Sequence, residues 1–341
     1  SCHFVISVIS PAVLEGASLS YQYALETVKM KFESEPYNLR LATRSSPLAL
    51  AQAEQTVRAL TTAHSTIVKN LDVKIKNYRT TGDRKESGKL SAIGGKGLFT
   101  KEIEQALISN EADLAVHSLK DMPTELPEGL VIAAYLSRAD FREALIGGYT
   151  SLNDLPLGAK VGTASLRRQA ILKNIRPDLV VQTLRGNVDT RLRRVSNGDF
   201  DATLLAVAGL ERLGRVDAAS AILSPDQILP AACQGIIAVE CREDDCQLRE
   251  ILSCIDHRDT RIAATVERAF LSELDGSCRM PIAALAVVKN DLVSLRGLIA
   301  RPDGSELLEL QQSARCSDGK KLGIQLARQL LDRAKPGFFD D

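Results

Sequence analysis

Residues 159–195 read AKVGTASLRRQAILKNIRPDLVVQTLRGNVDTRLRRV and carry one pattern twice. In each half, a short apolar run leads into a turn of small and polar residues, and a segment with helical spacing follows. The first half covers residues 159–175 and the second covers residues 179–195. Alternating strands and helices of this kind predict an α/β unit with mostly parallel strands, because each helix returns the chain to the same edge of the sheet.

The same alternation is found on both sides of this stretch. LRLAT at residues 39–43 predicts a strand, and Ser46 followed by Pro47 predicts the N-cap and first residue of a helix. Thr100 is predicted to cap a second helix, and ADLAVHS at 112–118 predicts a buried strand. FDATLLAVAGLERLG, which ends at residue 214, predicts a further strand and helix. Two α/β domains therefore precede the C-terminal part.

The C-terminal part has a different pattern of predicted secondary structure. From residue 283, strands are predicted to be joined by turns at Asn290-Asp291 and Asp303-Gly304. A final amphipathic helix places Leu322, Leu326 and Leu330 on one stripe. This pattern predicts a smaller α+β domain, with a sheet covered by helices on one face.

Composition excludes several classes of protein. The chain has 341 residues, enough for two or three domains, and equal numbers of basic and acidic residues, 43 of each. Balanced charge and few aromatic residues argue against nucleic-acid binding, and no apolar run reaches the roughly 18–20 residues of a membrane span. Four histidines and seven cysteines without a C-x-x-C pair predict no metal site. The cysteines are expected to be mostly buried, inert thiols.

Basic and hydroxyl side chains follow four of the predicted strands. Ligands of α/β sheets bind beyond the carboxyl ends of strands, where guanidinium groups and helix N-termini suit carboxylates or phosphates. A single such arginine is commonly a solvated surface residue, but four strand ends together indicate a polyanionic ligand. The residues at these ends are Arg44, Ser46, Ser118, Lys120, Asp121, Thr163, Ser165, Arg167, Arg168, Arg185, Gly186 and Arg191.

Three residues have roles that the pattern leaves open. Asp121 is a carboxylate among cations, suited to steadying a developing cation or handling a proton, or else a simple charge partner. His117 lies within a strand and is expected to be a packed core histidine. Cys278 lies in a loop of small residues before a proline. The glycine-rich segment at 92–102 does not have P-loop spacing, because no Ser or Thr follows Lys96.

At this point the sequence resembles the porphobilinogen deaminase family, in order from about Leu39 to the C-terminus. The blocks that carry the resemblance are LATRSSPLALAQA at 41–53, IGGKGLFTKEIEQAL at 93–107, DLAVHSLKDMPTELP at 113–127, VGTASLRRQ at 161–169, LRGNVDTRL at 184–192 and DGSCRMPI at 275–282. The resemblance implies two domains like those of periplasmic binding proteins around a cleft, and a smaller α+β domain. The implied bounds are 38–138 with 236–256, 141–230 and 258–341, after an N-terminal extension over 1–37.

The resemblance also implies a reaction. Members join four porphobilinogen molecules head to tail, release ammonia at each step, and build on a dipyrromethane cofactor held by a thioether to the cysteine that matches Cys278. Asp121 would assist loss of ammonia and stabilise the cationic azafulvene. Cofactor and substrate would be bound by Arg44, Ser46, Gln52, Ser118, Lys120, Thr163, Ser165, Arg167, Arg168, Arg185, Gly186 and Arg191, with Lys96 and Phe99 on a cleft loop.

Location and partners are expectations from the same resemblance. The ending RAKPGFFDD is similar to that of plant and algal members. It implies a processed plastid enzyme, with the cytoplasm as the alternative. A monomer is expected, with uroporphyrinogen-III synthase as a possible partner. A second hypothesis, a non-catalytic binding protein for a dicarboxylate or phosphorylated ligand, would need no covalent anchor at Cys278.

Overall fold

A computed structural model describes residues 37–64, 71–84, 97, 99–274, 280–335 and 337–339. Its strands are β1 (Tyr37–Arg44), β2 (Leu71–Tyr78), β3 (Leu114–Ser118), β4 (Leu130–Tyr135), β5 (Glu143–Ile146), β6 (Lys160–Gly162), β7 (Val180–Gln182), β8 (Ala202–Ala206), β9 (Ala221–Leu223), β10 (Ile237–Arg242), β11 (Ile282–Lys289), β12 (Leu292–Ala300) and β13 (Leu307–Arg315). Its α-helices are α1 (Pro47–His64), α2 (Thr81–Arg84), α3 (Lys101–Ile108), α4 (Leu166–Ile175), α5 (Val188–Ser196), α6 (Val207–Arg212), α7 (Cys246–Ser253), α8 (Arg258–Glu273) and α9 (Gly319–Arg333).

Two five-stranded sheets share one topology. The first has the order β2-β1-β3-β10-β4 and the second the order β7-β6-β8-β5-β9. In each, the first three strands are parallel, and an antiparallel strand, β10 or β5, lies between the third and the last. The last strand also pairs with this antiparallel strand, so four of the five strands in each sheet run in one direction, and the prediction of mostly parallel strands is confirmed. The antiparallel strand enters each sheet from a segment that crosses over from the other sheet, so it runs against its neighbours.

Two crossing segments, 136–142 and 224–236, join the sheets and lie side by side. Leu136 donates its backbone N–H to Ile237 at 3.1 Å, and Ala139 donates to Gly235 at 3.2 Å. Gly235 has φ of +88°, and a Cβ there would lie 2.6 Å from the carbonyl oxygen of Ala139. Only glycine allows the two backbones to approach this closely.

The third sheet is antiparallel, in the order β11-β12-β13. One face packs on α8 and α9, where Phe270 is completely buried, and the other face contributes Leu285 and Leu298 to the core of the second sheet. The predicted turn at Asn290 has φ of +57°. The predicted stripe of α9, Leu322, Leu326 and Leu330, is buried.

The predicted class, two α/β units and a smaller α+β unit at the C-terminal end, is confirmed by these three sheets. Division into domains at the predicted boundaries stays a prediction. Within the described residues, no helix is both long enough and apolar enough to span a membrane.

Candidate functional site

Helix starts and strand ends bring the predicted polar residues to one region. Arg44 ends β1 and Ser118 ends β3, and these two strands pair in parallel. Ser46 lies before α1 and accepts the backbone N–H of Ala49 at 3.3 Å, as an N-cap should. In the second sheet, Ser165 caps α4 and accepts the backbone N–H of Arg168. We call the region between the carboxyl ends of the two sheets the cleft.

A pocket with about 410 Å³ of empty volume, partly open to solvent, lies on the first-sheet wall of the cleft. The Cζ atom of Arg44 lies 4.3 Å from the centre of the Phe99 ring, a cation–π contact. The Gln52 amide and the Ser118 hydroxyl are hydrogen bonded, with Nε2 and Oγ 2.8 Å apart. Six predicted site residues therefore share this pocket: Arg44, Ser46, Gln52, Phe99, Ser118 and Asp121.

Lys120 and Asp121 lie on a 3₁₀ turn, Leu119–Asp121, directly after β3. Lys120 Nζ donates a hydrogen bond to Gln234 Oε1 at 3.2 Å. Although the Lys120 side chain is open to solvent, protein surrounds it closely enough for desolvation to lower its pKa. Asp121 opposes this, whereas Arg168 lowers the pKa further. Lys120 thus belongs to the first wall but interacts electrostatically with the second.

Asp121 is exposed to the cleft, and its carboxylate accepts no hydrogen bond from the described residues. It nevertheless lies within electrostatic range of Lys120 and Arg191, whose charged forms it favours. A carboxylate held near cations without being paired to them keeps both oxygens available to a ligand.

Arginines of the second wall have N–H donors that the described residues do not all satisfy. The Nε atom of Arg185 is buried and has no hydrogen-bond partner among the described residues. Arg191 Nε donates to the carbonyl oxygen of Gly186 at 2.9 Å, and desolvation, with Arg168, lowers the pKa of Arg191 to about 10. Thr163 is buried, and its Oγ1 accepts the backbone N–H of Ser165 at 3.1 Å, which leaves its hydroxyl hydrogen available to donate.

Arg167 and Arg168 are buried, with 4% and 6% of their surface exposed. Both bond to the carboxylate of Glu143, which is fully buried: Arg167 Nη2 lies 2.6 Å from Oε1, and Arg168 Nη2 lies 2.7 Å from Oε2. Glu143 was not among the predicted site residues. The available signal is an acidic residue that opens the otherwise apolar strand EALI, but nothing local indicates its partners.

His117 is a packed histidine, as expected. It is 5% exposed, and its Nε2 lies 3.0 Å from Oε2 of the fully buried Glu240. Glu104 of α3 is close by, and desolvation raises the pKa of its carboxyl group. Thr100 is the N-cap residue of α3, as predicted, but its hydroxyl makes no capping hydrogen bond.

Two predicted site residues, Cys278 and Lys96, lie outside the described residues. Of the described cysteines, Cys233 and Cys241 are buried as expected, and burial raises the pKa of the Cys241 thiol to about 12. Cys246 and Cys254 are exposed, so the expectation is wrong for them. Among the described residues, no group of three or more His, Cys, Asp or Glu side chains could hold a metal ion.

The arrangement suits a ligand with several carboxylates and a group that needs a nearby anion. Cationic donors lie on both walls: Arg44 and Lys120 on the first, and Arg185 and Arg191 on the second. Asp121 is the carboxylate open between them. Guanidinium and ammonium groups recognise carboxylates, and the carboxylate can accept N–H groups or stabilise a cation.

Comparison with known proteins agrees with this chemistry. Residues 39–250 match the family "Porphobilinogen deaminase, dipyromethane cofactor binding domain", and residues 261–332 match "Porphobilinogen deaminase, C-terminal domain". The chain is 48% identical to the porphobilinogen deaminase of Paracoccus denitrificans, over 90% of this chain and 98% of that protein. It is also 48% identical to the chloroplastic porphobilinogen deaminase of Pisum sativum, over 89% of this chain and 83% of that protein.

Solved structures of low similarity include a TRAP periplasmic solute binding protein from Desulfovibrio salexigens. Its TM-score is 0.40 at 10% identity, over 69% of this chain and 76% of that chain. The periplasmic VFT2 domain of Bordetella pertussis BvgS has a TM-score of 0.35 at 15% identity, over 70% of this chain and 92% of that chain. Likeness at this level supports no conclusion about a ligand.

Proposed function

The chain belongs to the porphobilinogen deaminase family, and from this premise we propose which of its residues carry out the family's reaction. It is a transferase of tetrapyrrole biosynthesis that joins four porphobilinogen molecules head to tail, with release of ammonia, into hydroxymethylbilane. It builds the product on a dipyrromethane cofactor. The hypothesis of a non-catalytic binding protein is set aside by this membership.

Substrate binding is assigned to the cations on both walls. Each porphobilinogen carries an acetate and a propionate, so a growing chain adds carboxylates in pairs. Arg44, Lys120, Arg185 and Arg191 would bind them, and the buried, unpartnered Nε of Arg185 is a donor that such a carboxylate would satisfy. Ser46, Gln52, Ser118, Thr163, Ser165 and Gly186 would complete the hydrogen bonding.

Asp121 is the proposed catalytic residue, and the observation that carries this assignment is its unpaired carboxylate in the cleft. When ammonia leaves porphobilinogen with the electron pair of the C–N bond, positive charge remains on the substrate. Asp121 would stabilise that charge and accept the pyrrole N–H. Lys120 and Arg191 lie within electrostatic range of Asp121 without forming a hydrogen bond to it, so its oxygens are left to the ligand.

The residues present fit a dipyrromethane, because its side-chain carboxylates need cations and its pyrrole N–H groups need an acceptor. Donors without partners and the open Asp121 supply both. When bound, the dipyrromethane supplies the pyrrole carbon to which the first substrate is joined. We assign its thioether to Cys278 and place Lys96 and Phe99 on a loop beside it. Arg167 and Arg168 would hold its carboxylates from the second wall.

Finer points of the assignment are also proposals. We propose domains over 38–138 with 236–256, 141–230 and 258–341, after an extension over 1–37. A plastid location is supported by the chloroplastic relative from Pisum sativum, alongside bacterial relatives, with the cytoplasm as the alternative. We also propose a monomer whose product passes to uroporphyrinogen-III synthase.

Leucine substitutions on one short segment test the binding assignment. Arg185→Leu removes a proposed cleft donor, whereas Arg193→Leu removes an exposed arginine that has no ion pair among the described residues. A charged hydrogen bond contributes about 1.5–3 kcal/mol. Arg185→Leu should therefore raise KM for porphobilinogen about tenfold or more, and Arg193→Leu should leave it within about twofold. Equal KM values for the two variants would remove Arg185 from the site.

A further inference from the structure

Glu143 is a buried carboxylate that forms hydrogen bonds to two arginines of the cleft wall. Its Oε1 accepts Arg167 Nη2 at 2.6 Å and Arg168 Nε at 3.2 Å, and its Oε2 accepts Arg168 Nη2 at 2.7 Å. None of its surface is exposed. The carboxylate therefore receives three hydrogen bonds from two guanidinium groups inside the protein.

Backbone carbonyl groups fix the other side of each guanidinium. Arg167 Nη1 donates to the carbonyl oxygen of Leu229 at 2.7 Å, and Arg168 Nη1 donates to that of Leu204 at 2.8 Å. A planar guanidinium held from two sides cannot rotate or translate freely. Its remaining N–H groups consequently have fixed directions, and one of them, on Arg167 Nε, has no partner among the described residues.

Charge gives Glu143 a second effect on the cleft. Arg167 and Arg168 both lower the pKa of Lys120, and Glu143 counteracts them. Arg168 also lowers the pKa of Arg191. Among the described residues, Glu143 is the carboxylate that is hydrogen bonded to Arg167 and Arg168. Without it, two buried arginines would repel each other and Lys120, a cost that buried charges avoid only when they are paired.

We propose that Glu143 is a positioning residue, which holds Arg167 and Arg168 as one preformed receptor for a ligand carboxylate with a net charge of about +1. This inference rests on the proposed function and deepens it, because it explains how the arginines of the second wall are held in place by a residue that does not itself contact the ligand. Burial alone would raise the pKa of Glu143, but Arg168 and Arg167 hold it at about 2, so the receptor stays assembled at neutral pH.

Two substitutions separate charge from shape. Glu143→Gln keeps the length of the side chain but removes the charge and turns one acceptor into a donor that faces a guanidinium. Glu143→Asp keeps the charge and shortens the side chain. The matched control is Asp113→Asn, because Asp113 also lies between two arginines, Arg40 and Arg242, near the ends of β1 and β10 away from the cleft.

The experiment reconstitutes each full-length variant with porphobilinogen and measures three quantities: the denaturation midpoint, the fraction carrying the covalent dipyrromethane by intact mass, and KM and kcat. Glu143→Gln should lower the adduct fraction severalfold and raise KM about tenfold, with a smaller change in kcat. Glu143→Asp should recover part of both. Asp113→Asn should lower the midpoint and leave adduct fraction and KM within about twofold of the wild type.

Two results would overturn the inference. One is a Glu143→Gln variant with wild-type adduct fraction and KM. The other is an Asp113→Asn variant in which the adduct fraction falls and KM rises as much as in Glu143→Gln. That result would mean that any loss of stability is enough to impair the cleft. If Glu143→Gln does not fold, Glu143→Asp provides the test. Its shorter side chain moves the carboxylate away from the two arginines, so a wild-type adduct fraction and KM in this variant would contradict a positioning role. Failure of the proposed function itself is distinct, since the wild type would then carry no adduct.

Discussion

Arg138 and Glu267 form an ion pair inside the protein, with Nη1 and Oε1 2.5 Å apart. Glu267 is fully buried and also accepts the backbone N–H groups of Cys233 and Ala286. One carboxylate on α8 thus joins both crossing segments to the third sheet. The pair therefore holds together the segments that connect the two cleft walls.

Glu267→Gln should destabilise the protein strongly, because it leaves Arg138 without its carboxylate. Breaking a buried pair by removing one partner costs about 3–5 kcal/mol. Denaturant titration of the full chain measures this loss. Glu273→Gln on the same helix is the control, since it removes the exposed pair with Arg328 and should cost less than about 1 kcal/mol. Similar losses in both variants would contradict the described role of Glu267.

Asp121→Asn should retain fold and adduct but lose turnover. The amide has no negative charge to stabilise the cation formed when ammonia leaves, so kcat should fall about a hundredfold or more. Product formation and intact mass are measured on the same sample. Glu128→Gln removes an exposed carboxylate a few residues along the chain and should keep wild-type kcat. Near-normal kcat in Asp121→Asn would exclude Asp121 from the mechanism.

Glu104 should make stability depend on pH in a direction set by its environment. Desolvation raises the pKa of its buried carboxyl group above the unfolded value of 4.5, and Oε1 has no hydrogen-bond partner among the described residues. Its contribution to stability is therefore complete below pH 4.5 and is lost as pH rises through the folded pKa.

Glu104→Gln cannot ionise, so its stability relative to the wild type should improve between pH 4 and pH 8. Denaturation midpoints at the two pH values measure this. Glu102→Gln is the contrast, because Glu102 accepts two hydrogen bonds from Thr81, at 2.6 and 2.8 Å, and its loss should destabilise at pH 8. If the stability of Glu104→Gln relative to the wild type fell from pH 4 to pH 8, the predicted rise in the pKa of Glu104 would be contradicted.

Gly235→Ala should cost more stability than Gly148→Ala, although both glycines have similar left-handed backbones, with φ of +88° and +82°. A Cβ at Gly148 meets no atom within 4 Å, so only backbone strain of about 1–2 kcal/mol is expected. At Gly235 the Cβ collides with the carbonyl of Ala139, which should add about 1–3 kcal/mol. Equal losses would mean that the crossing segments separate easily.

Local features were the most predictable part of this fold. Ser46 and Pro47 start α1 as predicted, and the stripe of α9 is buried as its spacing indicates. These features depend on residues within a few positions of one another. The polar residues at the strand ends also came together, because the carboxyl ends of parallel strands share an edge.

Long-range features could not be predicted from local patterns. The antiparallel direction of β10 follows from where the chain crosses between the sheets, which no short segment specifies. The pairing of Glu143 with Arg167 spans 24 residues, and nothing in either segment identifies the partner. The sequence therefore predicted two free arginines where the structure has a buried cluster.

The central claim is that this chain carries a dipyrromethane on Cys278. Intact-mass measurement of the purified full chain, reconstituted with porphobilinogen, tests it most directly. The wild type should show a fixed adduct of two pyrrole units that Cys278→Ala lacks and that Cys246→Ala, which changes an exposed cysteine, retains. A folded wild type without the adduct, or an adduct that survives in Cys278→Ala, would contradict the claim.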